Sequence, residues 1–171
     1  PRRFPGLWEA LAIVRPNPVG SADISYISLR GGFVCLAALI DWCSRYVLAW
    51  ELSITLEADF CVAVLERALT HQRPEIFNTD QGVQFTSTQF QAPLRAAQVR
   101  VSMDGRGRAF DNIFVERLWR SVKYEEVYIK DYRNVAEARE GLQRYFPFYN
   151  EQRIHQALDY RTPHKVHFPT P

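Results

Sequence analysis

Residues 33–40, Phe-Val-Cys-Leu-Ala-Ala-Leu-Ile, form an unbroken apolar run. A strand with one wet face alternates apolar and polar residues, so a run without a polar break marks a central strand covered on both faces. It is too short to span a bilayer, and no basic segment followed by an apolar stretch marks a leader. Layers on both sides of a sheet mean helices above and below it, and the rest of the chain must supply them.

The flanking patterns do so. A first strand is expected to start near Asp23, carry Ile24, Tyr26 and Ile27, and end at the turn Arg30-Gly31-Gly32. Asp41 to Arg45 reads as a turn and Tyr46 to Trp50 as a third strand, which completes an antiparallel meander. Thr55 is placed to cap a helix with Glu57 and Asp59 in its first turn, and Cys61, Val64, Leu65, Ala68 and Leu69 share one face. Glu75 to Thr79 reads as a short strand that delivers Asp80, Thr86 with Gln89 as a capping box, and Val99, Val101 and Met103 as a fifth strand. A glycine-bearing loop, Asp104 to Arg108, precedes a long helix from about Asp111 to Tyr124, with Asp111 as its cap. The last helix starts at Asn134 with Glu137 in the box position and buries Ala138, Leu142, Tyr145, Phe146 and Tyr149. Pro147 lies within that pattern, where a lost N–H and a ring clash cost about 3 kcal/mol or more unless the helix bends.

This order predicts an α/β, ribonuclease H-like fold: a five-stranded mixed sheet, three antiparallel then two parallel strands, with helices on both faces. Residues 1–20, with Pro5, Pro16 and Pro18, read as an N-terminal arm or linker, and residues 21–171 as the core with a C-terminal helical extension. A chain of 171 residues suits one domain. Its net charge of +2 says little about a polyanionic partner, although arginine dominates its 21 basic residues and suits phosphate. Cys35, Cys43 and Cys61 are odd in number, without a C-x-x-C pair, and read as small hydrophobes of a reducing, cytoplasmic setting.

Three acids stand where sites assemble in such folds: Asp23 in the first strand, Asp80 at the end of the fourth, Glu116 on the long helix. Any one of them alone is most often a cap or a surface charge. If the three converge, their repulsion requires cations, and hard carboxylate oxygens suit magnesium. Two such ions about 3.5–4 Å apart activate the attacking oxygen and stabilise the leaving one in phosphoryl displacement. Val115, Leu118, Trp119 and Val122 fix the buried face of the helix, and Asn112, Glu116, Arg120 and Lys123 form a separate polar stripe that suits a phosphate-bearing substrate.

With 35 residues between Asp80 and Glu116, and Lys123 following, the spacing resembles the D-D-E core of retroviral integrases and bacterial transposases. The words around it, Asp23-Ile-Ser-Tyr-Ile, Ile40-Asp-Trp-Cys-Ser-Arg45, Asn78-Thr-Asp-Gln-Gly-Val-Gln-Phe-Thr-Ser87 and Asp111-Asn-Ile-Phe-Val-Glu116, resemble the IS-three family of insertion-sequence transposases. So does the tail, Phe148-Tyr-Asn-Glu-Gln-Arg-Ile-His155 with Leu158 and Thr162-Pro163. The resemblance implies a DNA transposase catalytic domain of bacterial, DNA-associated, cytoplasmic setting. It implies hydrolytic nicking and then strand transfer, with Asp23, Asp80 and Glu116 as catalytic ligands of two magnesium ions, for which manganese substitutes. Lys123 would contact the DNA end, with Arg120, Asn112, Arg106 and Arg108 as further DNA-binding candidates. Gly82 would stay small so that the chain turns beside Asp80. The implied partners are transposon ends and target DNA, with a homo-oligomer on DNA and no membrane. The resemblance also implies an N-terminal helix-turn-helix region in full-length members, which residues 1–171 are not expected to supply. The alternatives are an inactive truncated remnant that only binds DNA or dimerises, and a nuclease that only hydrolyses.

Other signals carry less. His164 and His167 have an H-x-x-H spacing without further ligands, so zinc is not expected. Tyr124, Tyr128 and Tyr132 could stack on unpaired bases but read more simply as core.

Overall fold

The computed structural model describes residues 15–103 and 113–170. Three strands, β1 (Val19–Leu29), β2 (Gly32–Asp41) and β3 (Val47–Ser53), form the antiparallel meander. β4 (Ile76–Thr79) and β5 (Arg100–Met103) add in parallel to the other side of β1, giving the order β3-β2-β1-β4-β5. The expected mixed sheet is therefore present, and β2 lies inside it, buried from Val34 to Asp41.

The period-two alternation of the strands sorts their side chains into two cores. On one face Leu36, Ala38 and Ile40 of β2 meet Val19 and Ile27 of β1 and the helices α4 (Ile113–Val122) and α6 (Val135–Glu151). On the other, Ala37, Leu39 and Ala22 meet α1 (Ala58–His71) and α3 (Thr88–Ala96). A short α2 (Val83–Thr86), not foreseen from the sequence, follows Asp80. Cys35 and Cys61 are buried, Cys43 is half-buried, and all three are free thiols.

Several boundaries differ from expectation. β1 starts at Val19, ahead of Asp23, because its pairing with β2 extends back to Gly20 opposite Asp41. The N-cap of α1 is Glu57 rather than Thr55, and it makes no side-chain cap bond. The cap of α3 is Ser87 rather than Thr86, its hydroxyl accepting from the Phe90 N–H at 3.2 Å. Asn134 caps α6 as expected, accepting from the Glu137 N–H at 2.9 Å, while Glu137 accepts from the Arg133 N–H. α6 passes through Pro147, and the carbonyl freed there belongs to Gln143, an exposed residue.

The long helix does not stop at Tyr124. α4 runs into a π-helical turn, Lys123–Val127, and then α5 (Tyr128–Lys130), ending at Asp131 in the left-handed region. A three-residue 3-10 turn (Gln156–Leu158) and α7 (Pro163–His167) complete the chain. Among the described residues, no helix is long and apolar enough to cross a membrane.

Candidate active site

Asp23 lies on the β1 face that carries Val19 and Ile27, so alternation turns it toward α4. The parallel register pairs Ser21 with Asn78, and carried two residues further it sets Asp23 level with Asp80 on the neighbouring chain segment. α4 approaches from above: Val115, Leu118, Trp119 and Val122 are buried as expected, which leaves Glu116 and Arg120 exposed on its outer side.

Trp119 ties the helix to the strand. Its indole N–H donates to Asp23 Oδ2 at 2.9 Å. Burial pushes the Asp23 carboxyl above its ordinary range. The Trp119 and Ile24 N–H groups pull it down, and Asp80 and Glu116 push it up again. Both other acids therefore lie within electrostatic reach of Asp23. They are not yet gathered: among the described residues no three His, Cys, Asp or Glu side chains are close enough to hold one metal ion.

Asp80 is set by its own turn, Oδ1 accepting from the Gly82 N–H at 2.8 Å. A Cβ on Gly82 would stand 2.8 Å from that same oxygen, so the position is small for lack of space, not for unusual dihedrals. The expectation for Gly82 thus has a contact behind it.

The segment Asp41 to Arg45 anchors the entrance of α4. Trp42 donates to Ser21 Oγ at 2.8 Å and packs its ring 4.9 Å from that of Phe114. Arg45, at φ 62°, lays its guanidinium 3.7 Å from the centre of the Phe114 ring, and burial lowers its pKa to about 10, so it stays charged at neutral pH. The two contacts on Phe114 hold the first turn of the helix that carries Glu116.

Of the DNA-contact candidates, Arg120 is exposed with its guanidinium 5.8 Å from the Tyr124 ring, and Lys123 is half-buried at the start of the π-helical turn. Asn112, Arg106 and Arg108, together with the cap Asp111 and the glycines of the preceding loop, lie outside the described residues. Tyr132 is core, as expected, with its hydroxyl donating to buried Glu126 at 2.5 Å. Tyr124 and Tyr128 are not: they stand exposed as an edge-to-face pair 5.3 Å apart, on the side of the helix opposite the buried stripe of α4.

Sequence reasoning treated Trp119 only as core and passed over Arg117. A buried indole needs a hydrogen-bond partner, and its place three residues after Glu116 was the available signal. His164 and His167 do not form a metal pair: His167 is buried against Ser44, and His164 is exposed.

Residues 14–109 match the family described as integrase core domain, and residues 97–163 match a second family of the same description. The transposase for insertion sequence element IS904 of Lactococcus lactis subsp. lactis (strain IL1403) is 32% identical over 152 residues, 86% of this chain and 60% of that protein. The transposase for insertion sequence element IS629 of Shigella sonnei is 29% identical, over 87% of this chain and 51% of that protein. Transposase InsF for insertion sequence IS3A of Escherichia coli (strain K12) is 36% identical over 64% of this chain and 39% of that protein. The chain thus spans about 40–60% of the length of these relatives. Among solved structures, the HTLV-2 integrase catalytic core domain in complex with magnesium superposes with a TM-score of 0.73 at 18% identity, over 92% of this chain and all of that one. A chain of the simian T-cell lymphotropic virus intasome in complex with PP2A regulatory subunit B56 gamma gives 0.78 at 20% identity, over 92% of this chain and 56% of that one. At these identities the likeness shows the shared fold.

Proposed function

Because this chain belongs to the integrase core domain family and is related to IS3-family transposases, we propose that it is the catalytic core of a DNA transposase that cuts and rejoins phosphodiester backbones. Asp23, Asp80 and Glu116 are its catalytic residues and the ligands of two divalent metal ions, magnesium or manganese. What supports this reading is the family membership together with two geometric facts: the parallel register that carries Asp23 level with Asp80, and the Trp119 bond that ties the helix bearing Glu116 to Asp23.

The donor set fits the ions. Three hard carboxylates suit magnesium, and Asp23, held above its ordinary pKa by burial and by its two acidic neighbours, is the group that a cation would relieve. When bound, paired ions supply an activated attacking oxygen and charge stabilisation on the leaving one. The protein's part is positional. Trp119 orients one oxygen of Asp23, the Gly82 N–H orients one oxygen of Asp80, and the clamp of Arg45, Phe114 and Trp42 sets the pose of α4 and hence the reach of Glu116. Exposed Arg120 and half-buried Lys123 lie one and two turns beyond Glu116, where they meet the phosphates of a bound DNA end. Transposon ends and target DNA are the substrates, and a homo-oligomer on DNA is the active assembly.

A manganese-dependent nicking assay on supercoiled DNA tests the reading. Glu116→Gln should lower the rate by several orders of magnitude while the far-UV spectrum and melting midpoint stay unchanged. Equal nicking by wild type and variant would end the catalytic proposal.

A further inference from the structure

Between α4 with its π-helical turn and the segment Arg153–Ala157 lies an open groove of about 550 Å³, a size at which sites hold small ligands. Arg117, Arg120 and Tyr124 line one side and Arg153 and His155 the other, with Glu125 at the join. The tail motif around Arg153 and His155 was singled out in the sequence and has no part in the acidic site.

Glu125 does not cancel the positive lining. Its two oxygens accept from Arg153 Nε at 2.9 and 2.8 Å, and Oε2 also accepts from the Tyr145 hydroxyl at 2.8 Å. That network fixes Arg153 as a wall and leaves Arg117 and Arg120, neither of which makes an ion pair with a carboxylate among the described residues. His155 adds no second anion or cation. Burial and the neighbouring Arg153 hold it neutral down to about pH 4, and its ring stands edge-on to Tyr149 at 5.0 Å.

Tyr124 is 65% exposed, and Ile154 beside it is exposed as well. A largely exposed aromatic ring in the same groove as two guanidinium groups that have no carboxylate partner among the described residues suits a base and its phosphate better than an acidic peptide, whose carboxylates would use the arginines and leave the ring idle. Position argues the same way. Arg117 adjoins Glu116, and Tyr124 lies eight residues beyond Glu116, about 12 Å along the helix axis at 1.5 Å per residue. A strand leaving the acids along α4 passes over the groove.

We propose that this groove seats one unpaired nucleotide of the DNA strand next to the cleavage point, Arg117 holding its phosphate and Tyr124 stacking on its base. The inference rests on the catalytic reading for its placement beside the cut. Arg153 and Glu125 are positioning residues, since they shape the wall without touching the strand.

Binding of fluorescent oligothymidine to the whole chain, measured by anisotropy in chelator over a salt series, tests the groove apart from catalysis. Arg117→Ala should shrink the slope of log affinity against log salt by about 0.7, one single-strand phosphate contact. Tyr124→Ala should weaken binding roughly five-fold or more with the slope kept, and Tyr124→Phe should retain wild-type affinity. Both positions are exposed, and unchanged melting midpoints would show that the variants fold. Wild-type affinity and slope in both alanine variants would overturn the proposal, as would polyglutamate competing as well as oligothymidine. If the variants lose binding while Glu116→Gln still nicks like wild type, the groove stands as a strand site and the catalytic reading falls. If the variants bind normally and Glu116→Gln is dead, the reverse holds.

Discussion

Trp119 joins two roles that a sequence pattern separates: its rings fill the core under α4, and its N–H orients Asp23. Trp119→Phe keeps most of the packing and removes the bond, which leaves the half-buried carboxylate with one fewer donor. Partners of metal-binding carboxylates typically contribute 10- to 100-fold in metal affinity or activity. We expect manganese affinity, measured by calorimetry, to fall by about ten-fold or more in this variant, and an unchanged affinity would confine Trp119 to packing. Gly82 offers a second test at the same scale. An alanine Cβ there would meet Asp80 Oδ1 at 2.8 Å, so the carboxylate must leave its bond to the Gly82 N–H. Gly82→Ala should slow nicking about ten-fold, while Gly31→Ala, in a turn with nothing within 4 Å of the added atom, should not. Equal rates in the two variants would remove the steric argument.

The helical stretch from Ile113 to Lys130 departs from a regular α-helix at Lys123–Val127, directly after the turn that carries Arg120. The wider turn sends consecutive acids in different directions: Glu125 to Tyr145 and Arg153, and Glu126 to the buried Tyr132 hydroxyl. Tyr132 in turn sits on Gly141 of α6, where an added Cβ would lie 2.0 Å from its oxygen and 2.6 Å from its ring. Helix propensity alone favours alanine over glycine by about 1 kcal/mol. Overpacking against a ring bonded to a buried glutamate outweighs that, and Gly141→Ala should lower stability by about 1–3 kcal/mol. Urea denaturation measures it, and a raised midpoint would contradict the packing account. The period of 3.6 residues made the buried stripe of α4 legible, but not this element, because the stripe is broken after Val122 by the polar run Lys123-Tyr-Glu-Glu126.

At the scale of the molecule, the C-terminal helix α7 is fastened to the β2–β3 turn by a buried chain of hydrogen bonds. Ser44 donates its hydroxyl proton to Asp41 Oδ2 at 2.7 Å, so toward His167 Nδ1, at 2.8 Å, Ser44 Oγ is the acceptor. Burial alone would raise the Asp41 pKa, but His167, its Nδ1 3.7 Å away, and donation from the Ser44 N–H and hydroxyl and the Asn17 N–H together bring it below its ordinary value. A carboxylate whose folded pKa is depressed stabilises the fold above its unfolded value, near 3.9, and that contribution is lost as pH falls through the folded one. The melting midpoint of the wild type should therefore fall as pH drops below about 4, and Asp41→Asn should be less stable at neutral pH with a flatter acid limb. Parallel limbs in the two proteins would exclude Asp41 as the titrating group. The order of elements, the doubly covered β2 and the polar stripe holding Glu116 and Arg120 were all legible along the chain, because alternation and helical period are local properties of spacing. So were the three acids as candidates, since each sits at a strand or helix position that the pattern locates. What only the tertiary structure decided is who meets whom: Trp119 with Asp23, Arg45 with Phe114, His167 with Ser44, and the groove where Arg153 faces Arg117 and Tyr124. Those pairs are separated widely in sequence, and their contact follows from sheet register and helix docking, which depend on the summed packing of both cores rather than on any local pattern.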